Sequence, residues 1–303
     1  MSVSSWLIRL TAAFAVFALL VIPTAVAAQE PAEAAAEEEP APIWTDQADL
    51  GFLLTKGNSE NVNLSVDNVL QGNWDKSTFN LRVGAYRQES NDITRFAVGT
   101  GQNDFVADEF KERSLDAFRL YLFSDYKRTI SDRFFWQVGA NWDKDDDAGI
   151  ESRFVGYAGV GNVWVDSDRS SFSTSYALSY TSRTDEIEDP DNDGQFIGGR
   201  LAWNFMQKVL DSSEITNDMT FFMNFDQMKD NRFINTTALT TSMSSKLSIR
   251  LSAEFRYSNL PSLEEIDLYD GDPSAAGSSL IGTVNARKEK LDSIFRATIV
   301  VNF

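Results

Sequence analysis

The feature that most constrains this chain is a side-chain period of two that returns, segment after segment, from residue 44 to the end. The closing stretch shows it most plainly. Leu291, Ser293, Phe295, Ala297, Ile299, Val301 and Phe303 alternate with residues that include Asp292, Arg296, Thr298 and Asn302. Such alternation gives a β-strand one apolar face and one largely polar face. After the first 28 residues no apolar run approaches the roughly 20 residues that a membrane-spanning helix needs. If this chain crosses a bilayer, it does so on strands.

The alternation resolves into twelve segments separated by turn residues. The third sets Phe79, Leu81, Val83 and Ala85 against Arg82 and Gly84. The seventh sets Phe172, Tyr176, Leu178 and Tyr180 against Ser171, Ser173, Ser175 and Ser179. The eleventh sets Leu247, Ile249, Leu251, Phe255 and Tyr257 against Ser248, Arg250, Glu254 and Arg256. The sixth, with Gly159 and Gly161 inside it, is read with Val155, Tyr157, Val163 and Val165 as its apolar side. The tenth, with Phe233, Leu239 and Met243, is the least regular.

Segments of this kind, each a weak signal alone, are the pattern of a transmembrane barrel, and an even number lets it close with both termini on one side. Connections 72–76, 127–132, 166–170, 207–214 and 244–246 are short, whereas 88–111, 143–152, 184–195 and 259–286 are long and polar. Short turns at one end and long loops at the other are the asymmetry of such barrels. The sequence therefore predicts an all-β, closed antiparallel transmembrane β-barrel of about 12 strands over 44–303, with both termini periplasmic. The terminal Phe303, with Val301 and Ile299, resembles the signal by which barrel-assembly machinery recognises its clients.

The start of the chain is different in kind. Arg9 precedes an apolar run over 10–22, followed by Pro23 and Ala25-Val26-Ala27, the layout of a secretory signal peptide cleaved near residue 27. Residues 28–43 are rich in Ala, Glu and Pro and carry too little apolar bulk to offset ordering entropy, so they read as a mobile linker. The formal charge is −18. Losing Arg9 with the signal makes the remainder more acidic still, which argues against nucleic-acid binding.

Mid-strand charges fall on the polar face: Arg82, Arg119, Arg200, Arg250, Arg256 and Arg296, with Asp67, Asp125, Asp218, Asp226 and Glu254. An Arg facing lipid at mid-membrane would cost about 2–4 kcal/mol. These eleven are the expected lumen charges, and two readings of them stay open. Charges around a watery pore steer ions; a narrow lumen can instead be filled by side chains bridged to one another. Trp136, Trp142, Tyr176, Tyr180, Trp203, Phe225 and Tyr257 lie towards strand ends, where interfacial aromatic girdles belong.

The first hairpin carries Gly51, Thr55, Gly57, Asn58 and Ser59, with Asn63 beyond it. This stretch, with the terminal Phe, resembles the start of the family named domain of unknown function 481, described as salt-induced outer-membrane proteins. The resemblance runs loosely from residue 44 to 303. It implies an outer-membrane barrel and supplies no chemistry and no catalytic residue.

With no His and no Cys in 303 residues, neither a Ser–His nor a Cys–His nucleophile pair can be built, and a metal site would have to be all oxygen. The chain is expected to be non-enzymatic. Asp189-Pro190-Asp191-Asn192-Asp193-Gly194 begins like a calcium loop, yet Arg200 stands where a bidentate Glu is required. A calcium site at Asp189, Asp191 and Asp193 competes here with a plain acidic surface loop. The expected surroundings are outer-membrane lipid and lipopolysaccharide. An outer-membrane enzyme or lipid-modifying barrel is the second reading, and a secreted soluble barrel binding an apolar ligand the third. The third requires Phe, Leu and Trp to point inward.

Overall fold

A computed structural model describes residues 43–55, 60–101, 104–192, 194–269 and 279–303. The expected signal peptide, nearly all of the expected linker and the first hairpin turn with Gly57, Asn58 and Ser59 lie outside the described residues. Within the described chain no helix is long and apolar enough to cross a membrane. Fourteen strands are present.

Twelve of them close a barrel: β1 (Ile43–Thr55), β2 (Glu60–Asn73), β3 (Ser77–Gly101), β4 (Asp104–Ser131), β5 (Phe134–Asp145), β6 (Ile150–Asp166), β7 (Ser170–Asp185), β8 (Gln195–Leu210), β9 (Ser213–Asn224), β10 (Asn231–Ser242), β11 (Leu247–Ser258) and β14 (Leu291–Asn302). Each pairs antiparallel with its sequence neighbour, and β14 closes the ring between β11 and β1, with Leu50 opposite Ile299 and Ala48 opposite Val301. Closure leaves the barrel wall no open edge. The remaining two, β12 (Leu263–Tyr269) and β13 (Leu280–Arg287), form a separate hairpin between β11 and β14.

The apolar side of the zigzag faces outward. Phe52, Leu178 and Phe295 are 66, 65 and 74% exposed, and Leu122, Val138, Ile197, Leu239, Leu251 and Ile299 are exposed with them. Residues of the opposite parity on the same strands, Arg119, Gln137, Ser179, Glu254 and Thr298, are buried. A water-soluble barrel inverts this arrangement, because burial of apolar surface at about 25 cal/mol per Å2 is what would hold it together.

Four sequence expectations need correction. Residues 88–111 are not a loop: β3 and β4 run on as a two-stranded ribbon, paired to Gly101 opposite Asp104. Since β2 leaves β3 at Asn91 and β5 leaves β4 at Arg119, the ribbon stands on the order of 30 Å clear at 3.3 Å per residue. The sequence of this ribbon lacks the alternation that marks a wall strand. The long stretch 259–286 likewise contains β12 and the start of β13. Residue 43, counted with the linker, opens β1.

The fourth correction concerns the first part of β6, whose faces are reversed; past the register shift between Val163 and Val165, Val165 is exposed as expected. Val155 and Tyr157 are buried in the barrel interior, while Phe154, Val160 and Trp164 are exposed outside. Both sets are apolar, so periodicity alone could not choose between them. Cross-strand sterics decide. Tyr157 lies opposite Gly139 of β5, where a Cβ would collide with the phenol. Tyr121 likewise lies over Gly84 and Phe135 over Gly161. Each inward ring is admitted by a glycine on the facing strand.

Candidate functional site: a charged layer across the lumen

The connections at one end of the barrel shrink to 74–76, 132–133, 167–169, 211–212 and 243–246; the opposite end carries the ribbon, 146–149, 186–194, 225–230 and the β12–β13 hairpin. These are called the turn end and the loop end.

Near the loop end, ion pairs span the barrel. Arg119 on β4 donates through Nη1 to Glu254 Oε1 on β11 at 3.3 Å, and its Nε lies 3.4 Å from Asp145 Oδ2 on β5. Arg256 on β11 reaches the same Asp145 oxygen at 2.9 Å and Glu254 Oε1 at 2.5 Å. Arg296 on β14 donates to Glu254 Oε2 at 2.7 Å. In the ring order β5 and β11 stand on opposite walls. The Arg256–Asp145 contact therefore crosses the full lumen. Two carboxylates are shared among three guanidinium groups, and Arg119, Asp145 and Glu254 are all buried. Charges this dry hold their places only while paired, since stripping a partner costs about 3–5 kcal/mol.

Towards mid-barrel, Arg82 Nε sits 2.9 Å from both oxygens of Asp67, which also accepts the Tyr121 hydroxyl. Arg82 and Arg119 flank the Tyr121 ring at 5.6 and 4.8 Å. Arg200 packs 4.3 Å over Tyr157 and donates to Ser175 Oγ at 3.3 Å. Asp125 accepts from Asn80 at 3.3 Å, and Asp218 from Asn204 at 2.6 Å. Towards the turn end, Arg250 pairs with Asp49 and donates to Thr240 at 3.2 Å. There the lumen widens into a vestibule lined by Gln47, Ser213, Thr240, Ser242, Ser248 and Arg250.

Of the eleven charges singled out in the sequence, Arg119, Arg256, Arg296 and Glu254 thus meet in the crossing layer. Arg82 and Asp67 form a pair below it, Arg250 stands in the vestibule, and Arg200, Asp125 and Asp218 bond to neutral partners. Asp226 sits apart, exposed in the 225–230 connection, where its N–H donates to Asn224 Oδ1 at 2.9 Å. Sequence reading missed Asp143 and Asp145. They continue the inward parity of Gln137, Gly139 and Asn141, a signal hidden by assigning them to a loop. It also missed Arg153, which shares the reversed face of β6.

The acidic loop is held by an arginine. Arg287, at the end of β13, donates from Nη1 to Asp189 Oδ2 at 2.7 Å and from Nη2 to Asp189 Oδ1 and Asp191 Oδ2 at 3.3 Å each. Burial alone would raise the Asp189 pKa, but the Arg287 hydrogen bonds and charge outweigh it and hold the carboxyl below its ordinary value. Asp193 lies outside the described residues. The guanidinium fork meets the carboxylate oxygens that a calcium ion would use.

With this geometry in place, the comparisons can be read. A family model described as protein of unknown function, DUF481, matches residues 48–268. The chain belongs to the DUF481 family. The DUF481 match takes in every barrel strand except β14, so closure by the terminal strand falls beyond it. Among solved structures, the chain is similar to a NanC porin at 9% identity, covering 84% of this chain and 98% of that one, with a TM-score of 0.42. It is similar also to a KdgM porin in complex with disordered oligogalacturonate, at 7% identity, 86% and 99% coverage and TM-score 0.38. An anion-selective porin from Comamonas acidovorans follows at 9% identity, 87% and 99% coverage and TM-score 0.36. No curated protein matches.

Proposed function

We propose that this DUF481 protein is a non-enzymatic outer-membrane barrel with periplasmic termini, whose lumen is a narrow pore for small solutes constricted by the charged layer near its loop end. The observation that carries the reading is the pair of facts taken together: apolar side chains exposed around the barrel wall, and ion pairs from Arg119 and Arg256 crossing its interior. The first suits hydrocarbon outside, where a charge is costly. The second narrows the passage to gaps between paired side chains, in which ions are steered by local charge. Asn217, Trp203 and Thr237 on the outer wall satisfy one another's polar groups, with Trp203 Nε1 donating to Asn217 at 2.7 Å and Asn217 to Thr237 at 2.8 Å, as an apolar surrounding demands.

In this reading the terminal Phe303, with Val301 and Ile299 on the same outward face, is presented to the assembly machinery, and the loop end meets lipopolysaccharide. The test joins heat-modifiable gel migration of the membrane fraction with planar-bilayer recording. Small, discrete conductance steps from the folded barrel are expected, rising when Asp145→Asn and Glu254→Gln are combined. A folded barrel that stays silent with both carboxylates neutralised would overturn the pore and leave a structural barrel.

A further inference from the structure

We propose that the loop end of the lumen contains a binding pocket for a small carboxylate, centred on the guanidinium of Arg232. The inference goes beyond the pore reading, because a binding pocket needs no continuous passage.

The local register concentrates positive charge. Asp143 of β5, Arg153 of β6 and Arg183 of β7 stand in one cross-strand row, with the two arginines directly opposite each other. Like charges facing across strands repel. Here each arginine is matched: Arg153 grips Asp143 at 3.1 and 2.6 Å, and Arg183 pairs with Asp185 at 2.6 Å and donates to Ser262 at 2.8 Å. Arg232 of β10 lies close enough to both to feel their repulsion, offset in part by the attraction of Asp143 and Asp230. It has no hydrogen bond or ion pair to any described residue. Among the described residues its ring contact is with Phe222, its cross-strand partner, 4.5 Å from the guanidinium carbon.

That contact dictates what can bind. A ring engages the flat face of a guanidinium and leaves the in-plane N–H donors to an acceptor lying in their plane. A carboxylate offers two such oxygens at matching spacing. Arg183 and Arg232 line one cavity together with Thr181, Asn224 and Asp230, which admits little more than a water-sized group. The cavity holds at most one carboxylate oxygen, with the remainder of the carboxylate and of the molecule in the lumen. Asp230 is the opposing charge. Its Oδ2 accepts the Asn224 amide at 3.3 Å, and it forms no ion pair with Arg232. A ligand carrying an amine beside its carboxylate would meet both charges, but the unmatched cation selects the carboxylate first.

The full chain, folded in detergent micelles and checked by heat-modifiable migration, is titrated with sodium acetate at constant ionic strength, and bound acetate is read by saturation-transfer NMR. Saturable binding is expected, at least tenfold weaker in Arg232→Gln and unchanged in Arg250→Gln at the turn end. Arg232→Lys, which keeps the charge but loses the planar fork, is expected to bind several-fold more weakly and serves if the Gln variant does not fold. Absence of saturable binding to the wild type, wild-type affinity in the Arg232 variants, or equal displacement by chloride would each overturn the pocket. Bilayer conductance does not enter this readout, so a silent barrel that binds acetate would refute the pore alone.

Discussion

The two ends of the lumen solve the same problem differently. At the turn end, Arg250 faces a vestibule of Ser and Thr hydroxyls, and its partner Asp49 also accepts from Gln47 Nε2 at 3.0 Å. Each charge there keeps access to water or a second donor. At the loop end, Arg119, Asp145 and Glu254 are dry, and each depends on partners from distant strands. The difference shows that inward polarity alone does not make an open channel. The reach of arginine side chains across the ring sets the bore.

The sharpest way to break this contrast is to remove one charged side chain from each end. Glu254→Ala takes a partner from three guanidinium groups, leaving Arg119 and Arg256 to share Asp145, and Arg296 without its carboxylate, and is expected to cost about 3–5 kcal/mol of unfolding free energy, read by urea titration in micelles. Arg250→Ala, in the wetter vestibule, is expected to cost only about 1–3 kcal/mol. Equal losses would mean that the two ends are alike. Substitution on the two faces of β7 tests the wall between them. Leu178→Arg is expected to lose about 2–4 kcal/mol and much of the assembled barrel, whereas Ser179→Thr on the inner face should fold normally. A well-assembled Leu178→Arg barrel would place water, not lipid, outside.

A smaller effect sharpens the β6 register. Gly139→Ala puts a Cβ against both the Tyr157 phenol and the Ser124 carbonyl oxygen and is expected to cost about 1–3 kcal/mol, of which the part due to the phenol is recovered by adding Tyr157→Leu. Were β6 facing the other way, the pair would show no coupling. The smallest effect concerns the loops above the lumen. Because Arg287 depresses the Asp189 pKa, the tie between β13 and the 186–194 connection is present above the ordinary carboxylate value of about 4 and is lost as pH falls through the lower, folded value. Limited acid proteolysis should cut 186–194 faster as pH drops through that window. In Arg287→Ala the cutting should be fast at neutral pH and show little further dependence.

Some of this was legible in the chain. The parity that puts Leu178 outside and Ser179 inside is local, since neighbouring side chains of a strand must point oppositely whatever else the molecule does. Twelve wall strands, their antiparallel order and the positions of the short turns follow from repeating that rule. It failed where both parities are apolar, as in β6, and where the alternation is lacking, as beyond Gln88.

The sequence by itself determined the strands, which side chains share a face, and the absence of any His or Cys for nucleophilic chemistry. Only the tertiary structure decided who meets whom across the ring. Arg119 and Glu254 are 135 residues apart, and Arg256 and Asp145 are 111. Their contacts depend on barrel diameter and strand stagger, which belong to the closed sheet and to no single segment. That is also why Arg232, ordinary in sequence, emerges as an inward arginine with neither a carboxylate nor a hydrogen-bond partner among the described residues.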